Sequence, residues 1–163
     1  SQNCKSGAKF PPHSTTFKVY LPAVETASGR DFFKTPDESV RGTGHVLIVD
    51  DEETIRKMAV EMLRTLGYET TTCKDGAEAV EYYRKSWREI DLVILDMVMP
   101  ELSGRDTFIV MREINPKVKA ILASGYSVNG EAQEILDDGA LSFVQKPFQR
   151  AELSHEVARA LGA

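Results

Sequence analysis

Four apolar residues in succession, Leu92-Val93-Ile94-Leu95, stand between two acids, Asp91 and Asp96. A run this short, without alternation, is the pattern of a strand buried on both faces, as in a parallel sheet covered by helices. Ligands of such sheets bind at the carboxyl ends of the strands. Asp96, directly after Leu95, therefore sits where a reaction site is expected. Taken alone, a strand-terminal Asp serves as well to begin a turn or to cap the next helix, so the rest of the chain has to decide.

From His45 onward, strands alternate with helices. Val46-Leu47-Ile48-Val49 is a buried strand ending in Asp50-Asp51-Glu52. The next helix repeats Ile55, Met58, Ala59, Met62, Leu63 and Leu66 at helical spacing, and Gly67 supplies its stop. Tyr68 to Cys73 is a Thr-rich strand, and Asp75 caps a helix carrying Ala79, Val80, Tyr83 and Trp87 inward. After Leu92–Leu95 comes a loop through Pro100 and Gly104, then a helix over about 105–114 that ends before Asn115-Pro116. A fourth strand over Val118–Ala123 ends in Ser124-Gly125-Tyr126, and the helix after it, with Val128, Ala132, Ile135 and Leu136 on one face, stops at Gly139. The fifth strand, Leu141–Val144, ends in Gln145-Lys146-Pro147, and the last helix buries Leu153, Val157 and Leu161. Five such units predict an α/β fold, a doubly wound (βα)5 flavodoxin-like three-layer sandwich with parallel sheet order 2-1-3-4-5. The site then lies beside the first and third strands, where the winding reverses.

The first 44 residues read differently. Pro11-Pro12, the many Ser and Thr, and scattered glycines break any helical period, so residues 1–44 form an appendage and linker ahead of a domain at 45–163. Within them Thr15-Thr16-Phe17-Lys18-Val19-Tyr20-Leu21-Pro22 alternates as one strand, and Ala23 to Gly44 reads as a linker. A length of 163 residues, 42% hydrophobic and 28% charged, suits one globular domain with such an extension. A net charge of −5 offers no basic stripe, so no direct nucleic-acid binding is expected. No apolar run approaches the ~20 residues of a membrane span and no signal-peptide pattern opens the chain, which favours the cytoplasm without membrane contact. Cys4 and Cys73 lie too far apart to suggest a disulfide framework or zinc site; Cys73 reads as a small buried hydrophobe.

The strand ends bring together Asp50 and Asp51, Asp96, Ser124 and Lys146. Three carboxylates at one edge repel one another unless a cation compensates. Magnesium, which takes oxygen ligands and retains waters, meets that need: Asp51 and Asp96 as ligands, Asp50 orienting a bound water, and the Val98 backbone carbonyl as a further ligand. Lys146 would then supply a positive charge and Ser124 a hydroxyl to phosphoryl oxygens. Asp96 fits as the nucleophile that takes up a phosphoryl group as an acyl phosphate.

The motifs Val49-Asp50-Asp51-Glu52, Leu95-Asp96-Met97-Val98-Met99-Pro100, Ala123-Ser124-Gly125-Tyr126 and Gln145-Lys146-Pro147-Phe148 stand in order at four strand ends. In this, residues 45–163 resemble the receiver domain of two-component response regulators. The resemblance implies that Asp96 is the phosphoacceptor, Asp50 and Asp51 the acidic Mg2+ pocket, Ser124 the switch hydroxyl and Lys146 the phosphate-sensing lysine, with a cis bond before Pro147. Phe143 falls where the family carries its aromatic switch residue, often Tyr, and lacks the hydroxyl. Val98 and Tyr126 flank the path of attacking water without a carboxamide or carboxylate to position it, so slow loss of phosphate is expected. The stretch Thr15–Pro22 is similar to the last strand of histidine-kinase ATP-binding domains, which implies a hybrid histidine kinase as parent. Partners would be a histidine kinase or histidine phosphotransfer protein, with output by contact through the fourth helix, fifth strand and fifth helix. No effector domain is expected after Ala163, and the domain is expected to be a monomer or weak dimer.

Two rivals differ in class. An Asp-nucleophile, Mg2+-dependent phosphohydrolase usually carries Asp-x-Asp, and position 98 is Val. A phosphate-independent scaffold would have no use for all five site residues. Ser154-His155-Glu156-Val157 superficially matches a phosphorylated-histidine box, but lies on the last helix between core positions and lacks the following proline, so His155 is expected in solvent. Gly42-Thr43-Gly44 precedes a strand and lacks the Lys-Ser/Thr of a phosphate loop. His13 and His45 have no metal-ligand spacing.

Overall fold

The computed structural model describes residues 39–125 and 135–162. The strand expected over Thr15–Pro22, together with Cys4, His13, Tyr126, Val128 and Ala132, lies outside them. Five strands follow in the order β1 (His45–Val49), β2 (Glu69–Cys73), β3 (Leu92–Asp96), β4 (Ala120–Ser124) and β5 (Ser142–Gln145). Between and after them come α1 (Glu53–Leu66), α2 (Gly76–Ser86), α3 (Gly104–Ile114), helical residues 135–137 (α4) and α5 (Arg150–Leu161).

All strand pairs are parallel and the sheet order is β2-β1-β3-β4-β5, as the alternation of elements predicts. The reason is visible in β3: all five of its residues are buried, so both sheet faces are covered. Val46, Ile48, Leu92, Ile94 and Ile121 point into one core with Leu63 of α1 and Leu153 and Val157 of α5. Leu47, Val49, Val93, Leu95 and Leu122 point into the other with Tyr83 of α2 and Phe108 and Met111 of α3. Among the described residues this gives three layers, with the sheet between the two helical faces.

The helix boundaries follow their capping chemistry. Gly67 ends α1 with φ +102°, and its N–H reaches back into the last turn. The Asp75 carboxylate caps α2 by accepting from the Glu78 N–H at 2.7 Å. α3 begins one residue earlier than its apolar period suggests, because Ser103 caps it through the Asp106 N–H. The fourth strand begins at Ala120 rather than Val118, since the Val118 N–H is held in a turn by the Asn115 carbonyl at 3.0 Å. The fifth strand is Ser142–Gln145 rather than Leu141–Val144; Leu141 bonds to Ala120 through its N–H, but its side chain is 47% exposed. Trp87, expected inward, is half-buried with the Arg88 guanidinium over its ring. Leu161 is likewise half-buried, whereas Ser154 is fully buried and His155 exposed. None of the described helices is long and apolar enough to cross a membrane.

Candidate functional site

Main-chain bonds continue past the strand ends and carry the polar residues together. The Asp50 N–H donates to the Cys73 carbonyl at 3.2 Å, Met97 to Ala123 at 2.9 Å and Lys146 to Ser124 at 2.8 Å. Asp50, Asp96, Ser124 and Lys146 are thus fastened at one edge by the same parallel pairing that builds the sheet. The Lys146-Pro147 bond is cis, as the motif implies.

Asp50, Asp51 and Asp96 each bring a carboxylate oxygen within 4.8 Å of the others. Asp50 and Asp96 are only 2% and 4% exposed, while Asp51 faces solvent. Lys146 Nζ bridges the two buried acids, 2.6 Å from Asp50 Oδ2 and 2.8 Å from Asp96 Oδ2. Asp96 Oδ1 faces the Val98 N–H at 3.4 Å. Burial pushes the Asp96 carboxyl above the usual range and the Asp50 charge adds to this, against the opposing pull of Lys146 and the Val98 N–H. Burial works to lower the Lys146 ammonium, but the two carboxylates together outweigh it and hold it above an ordinary lysine.

Three carboxylates and one ammonium carry a formal charge of −2 in this cluster. A divalent cation with oxygen preference matches that donor set in charge and in chemistry. The cluster opens into a cleft of about 510 Å3 lined by Asp51, Ile55, Val98, Gly125, Lys146 and Pro147 among others. Val98 stands at its mouth, 66% exposed. Ser124 ends β4 in a buried position, and Phe143, half-buried on β5, lies in register with Leu122 two residues before it. Tyr126 lies outside the described residues.

The family model for the response regulator receiver domain matches residues 46–158. The chain belongs to that family. Receiver domains accept phosphoryl groups in two-component signalling. Sensor kinase CckA of Brucella abortus is 32% identical over an alignment covering 90% of this chain and 16% of that protein. Chemotaxis protein CheY of Thermotoga maritima is 36% identical over 64% of this chain and 86% of its own length. Among solved structures, a receiver domain protein from Clostridium thermocellum has a TM-score of 0.70 at 29% identity, over 73% of this chain and 94% of that one. A chain of the CheX–CheY–BeF3–Mg2+ complex from Borrelia burgdorferi is matched with a TM-score of 0.69 at 28% identity, over 77% of this chain and 97% of that one.

Two contributors to the receiver site escape the sequence motifs. Arg56, on the first turn of α1, donates from Nη1 to the Asp50 carbonyl at 2.5 Å and so fixes the peptide that leads into Asp51. Its position six residues after Asp50, one turn past the loop, is the only signal that could have found it. Gly104 closes the loop after β3: its N–H bonds to the Met97 carbonyl at 3.1 Å, and a Cβ there would stand 2.2 Å from the Asp96 carbonyl. A glycine opening a helix is a weak signal in sequence, but any side chain at 104 would push against the backbone that carries Asp96.

Proposed function

We propose that this receiver takes a phosphoryl group from a phosphohistidine onto Asp96 and answers by changing a protein-binding face. The observation that carries the reading is the buried Asp50–Lys146–Asp96 bridge within the acidic cluster. An Asp96 oxygen attacks phosphorus in line with the imidazole nitrogen; the O–P bond forms as the P–N bond breaks, and the imidazole leaves with the bonding pair. Lys146 lies within reach of both the nucleophile and the incoming oxygens, and can exchange its bond to Asp96 for one to the phosphoryl group. Ser124 is assigned to a second oxygen, and Phe143, on the next strand, to the adjustment that follows.

Asp50, Asp51, Asp96 and the Val98 carbonyl would hold Mg2+, which when bound offsets charge on the transferring group. The matched Borrelia structure, a CheX–CheY complex with BeF3 and Mg2+, supports that assignment. The phosphoryl group is long-lived in this reading, because Val98 brings only an isopropyl group to the mouth of the cleft.

The parent is a hybrid histidine kinase, and the donor a histidine kinase or phosphotransfer protein on the cytoplasmic side. Residues 45–163 make up 73% of the chain, so an alignment to a sensor kinase over 90% of it takes in part of residues 1–44 as well. The deciding experiment is labelling with acetyl phosphate and Mg2+, followed by transfer from a panel of phosphohistidine donors. Stoichiometric label on wild type and none on Asp96→Asn is expected; equal label on both proteins would refute the reading.

A further inference from the structure

Residues 39–44, immediately ahead of β1, are laid against the domain by contacts from both helices of one face. The Val40 N–H donates to Ser154 Oγ of α5 at 3.2 Å, and the Gly42 N–H to the Leu66 carbonyl at the end of α1 at 3.0 Å. The Glu69 N–H returns a bond to the Gly44 carbonyl at 2.9 Å, and the His45 N–H reaches Asp91 Oδ2 at 2.8 Å. Ser154 is fully buried and spends its own proton on the Ala151 carbonyl at 2.8 Å, so its oxygen is an acceptor turned toward this segment.

The approach is closer than side chains allow. A Cβ on Gly42 would stand 2.2 Å from the Tyr68 hydroxyl, and one on Gly67 would stand 2.6 Å from the Gly42 carbonyl. Beside this contact Tyr68 is 3% exposed, and its hydroxyl has no hydrogen-bond partner. A buried donor without a partner is unfavourable. Seating the segment therefore gains hydrogen bonds and packing while keeping water from the Tyr68 hydroxyl.

We propose that residues 39–44 form a clasp between α5 and α1, an intramolecular interface through which the chain upstream is coupled to the phosphoacceptor site. Both helices begin at that site: α1 follows Asp50-Asp51, and α5 follows Lys146-Pro147. Ser154 lies one turn into α5, so a shift of Lys146 toward a phosphoryl group on Asp96 is passed to Val40 through a single helix. The coupling is reciprocal: if phosphorylation of Asp96 shifts the clasp's opening equilibrium by some factor, lifting the clasp shifts the phosphorylation equilibrium of Asp96 by the same factor. The coupling rests on the phosphoacceptor reading of Asp96, whereas the clasp itself does not.

Hydrogen exchange of the Val40 amide, followed by NMR on the full chain, tests both parts. Ser154→Ala and Gly42→Ala are expected to speed exchange at Val40 by about tenfold, and Tyr68→Phe to slow it by about fivefold, with β1 and β3 amides unchanged. Equal Val40 exchange in all four proteins would overturn the clasp. Beryllofluoride with Mg2+, a mimic of the phosphoryl group, is expected to change Val40 exchange by about fivefold or more in wild type. If the Asp96 resonances respond to beryllofluoride and Val40 does not, the coupling fails and the site reading stands. If Asp96 does not respond at all, the site reading fails, and with it the coupling, while the variants still decide the clasp.

Discussion

Lys146 holds two buried carboxylates at once, and the site's charge balance turns on it. Lys146→Met leaves Asp50 and Asp96 without their cation, and removing one partner of a buried pair costs about 3–5 kcal/mol. Urea denaturation should show that loss, and wild-type stability in the variant would refute it. At the mouth of the cleft the expected change is kinetic. Val98→Asn gives attacking water a carboxamide to orient it and should speed loss of the phosphoryl group by about tenfold; an unchanged dephosphorylation rate would end that idea. Cys73 offers a test by pH. Burial, with Glu78 and Asp75 adding to it, pushes its thiol up to about 12. An unfolded cysteine ionises near ~8.5, so between that pH and about 12 the native state retains a proton that the unfolded chain releases. Stability therefore falls as pH rises through that window, by up to about 1.4 kcal/mol per unit for this group. Denaturation midpoints of wild type should fall more steeply above pH 8.5 than those of Cys73→Ala, whereas parallel curves would contradict it. That Asp50, Asp51, Asp96, Ser124 and Lys146 stand together was legible in sequence because each lies within two residues of the end of a strand-like stretch, and strand ends on a parallel sheet share an edge. The parts played by Arg56, Gly104 and Ser154 were not, because each acts on a backbone group that only the folded chain brings near.

At the scale of elements, local chemistry set the boundaries wherever a side chain or glycine caps them. Gly67 and Asp75 were readable for that reason, and both act as expected. Asp75→Ala removes the bond to the Glu78 N–H and should cost about 1 kcal/mol, read as a lower denaturation midpoint with an unchanged m-value. A midpoint within error of wild type would show that the cap contributes nothing. The fourth and fifth strands were legible in kind but not in extent. Apolar character alone brought Val118 and Leu141 into strands, yet the Asn115 turn holds the first, and the second turns its side chain to solvent. In α5 the apolar period identified Leu153 and Val157 but passed over Ser154, whose hydroxyl is satisfied internally by Ala151 and therefore tolerates full burial.

For the whole molecule, the sheet order was legible because five short units leave few arrangements that are right-handed and covered on both faces. The fit of a divalent ion to the acidic cluster has a consequence for global stability. Mg2+ that binds only the native state adds stability as RT ln(1 + [L]/Kd), about 2.7 kcal/mol at a hundredfold excess over Kd. Melting temperature should rise with Mg2+ in wild type and stay flat in Asp51→Asn; equal shifts in both would place the ion elsewhere. The order β2-β1-β3-β4-β5 also shapes how the chain comes off the ribosome. Of the five described sheet strands β1 is made first, yet both of its neighbours are made later, and β3 follows it by more than forty residues. During synthesis Val46-Leu47-Ile48-Val49 is an apolar ribbon with two open edges, the kind of segment that pairs with other nascent chains. Asp50-Asp51-Glu52 directly after it sets three acidic side chains beside that ribbon, and charges flanking an apolar strand disfavour its pairing with copies of itself.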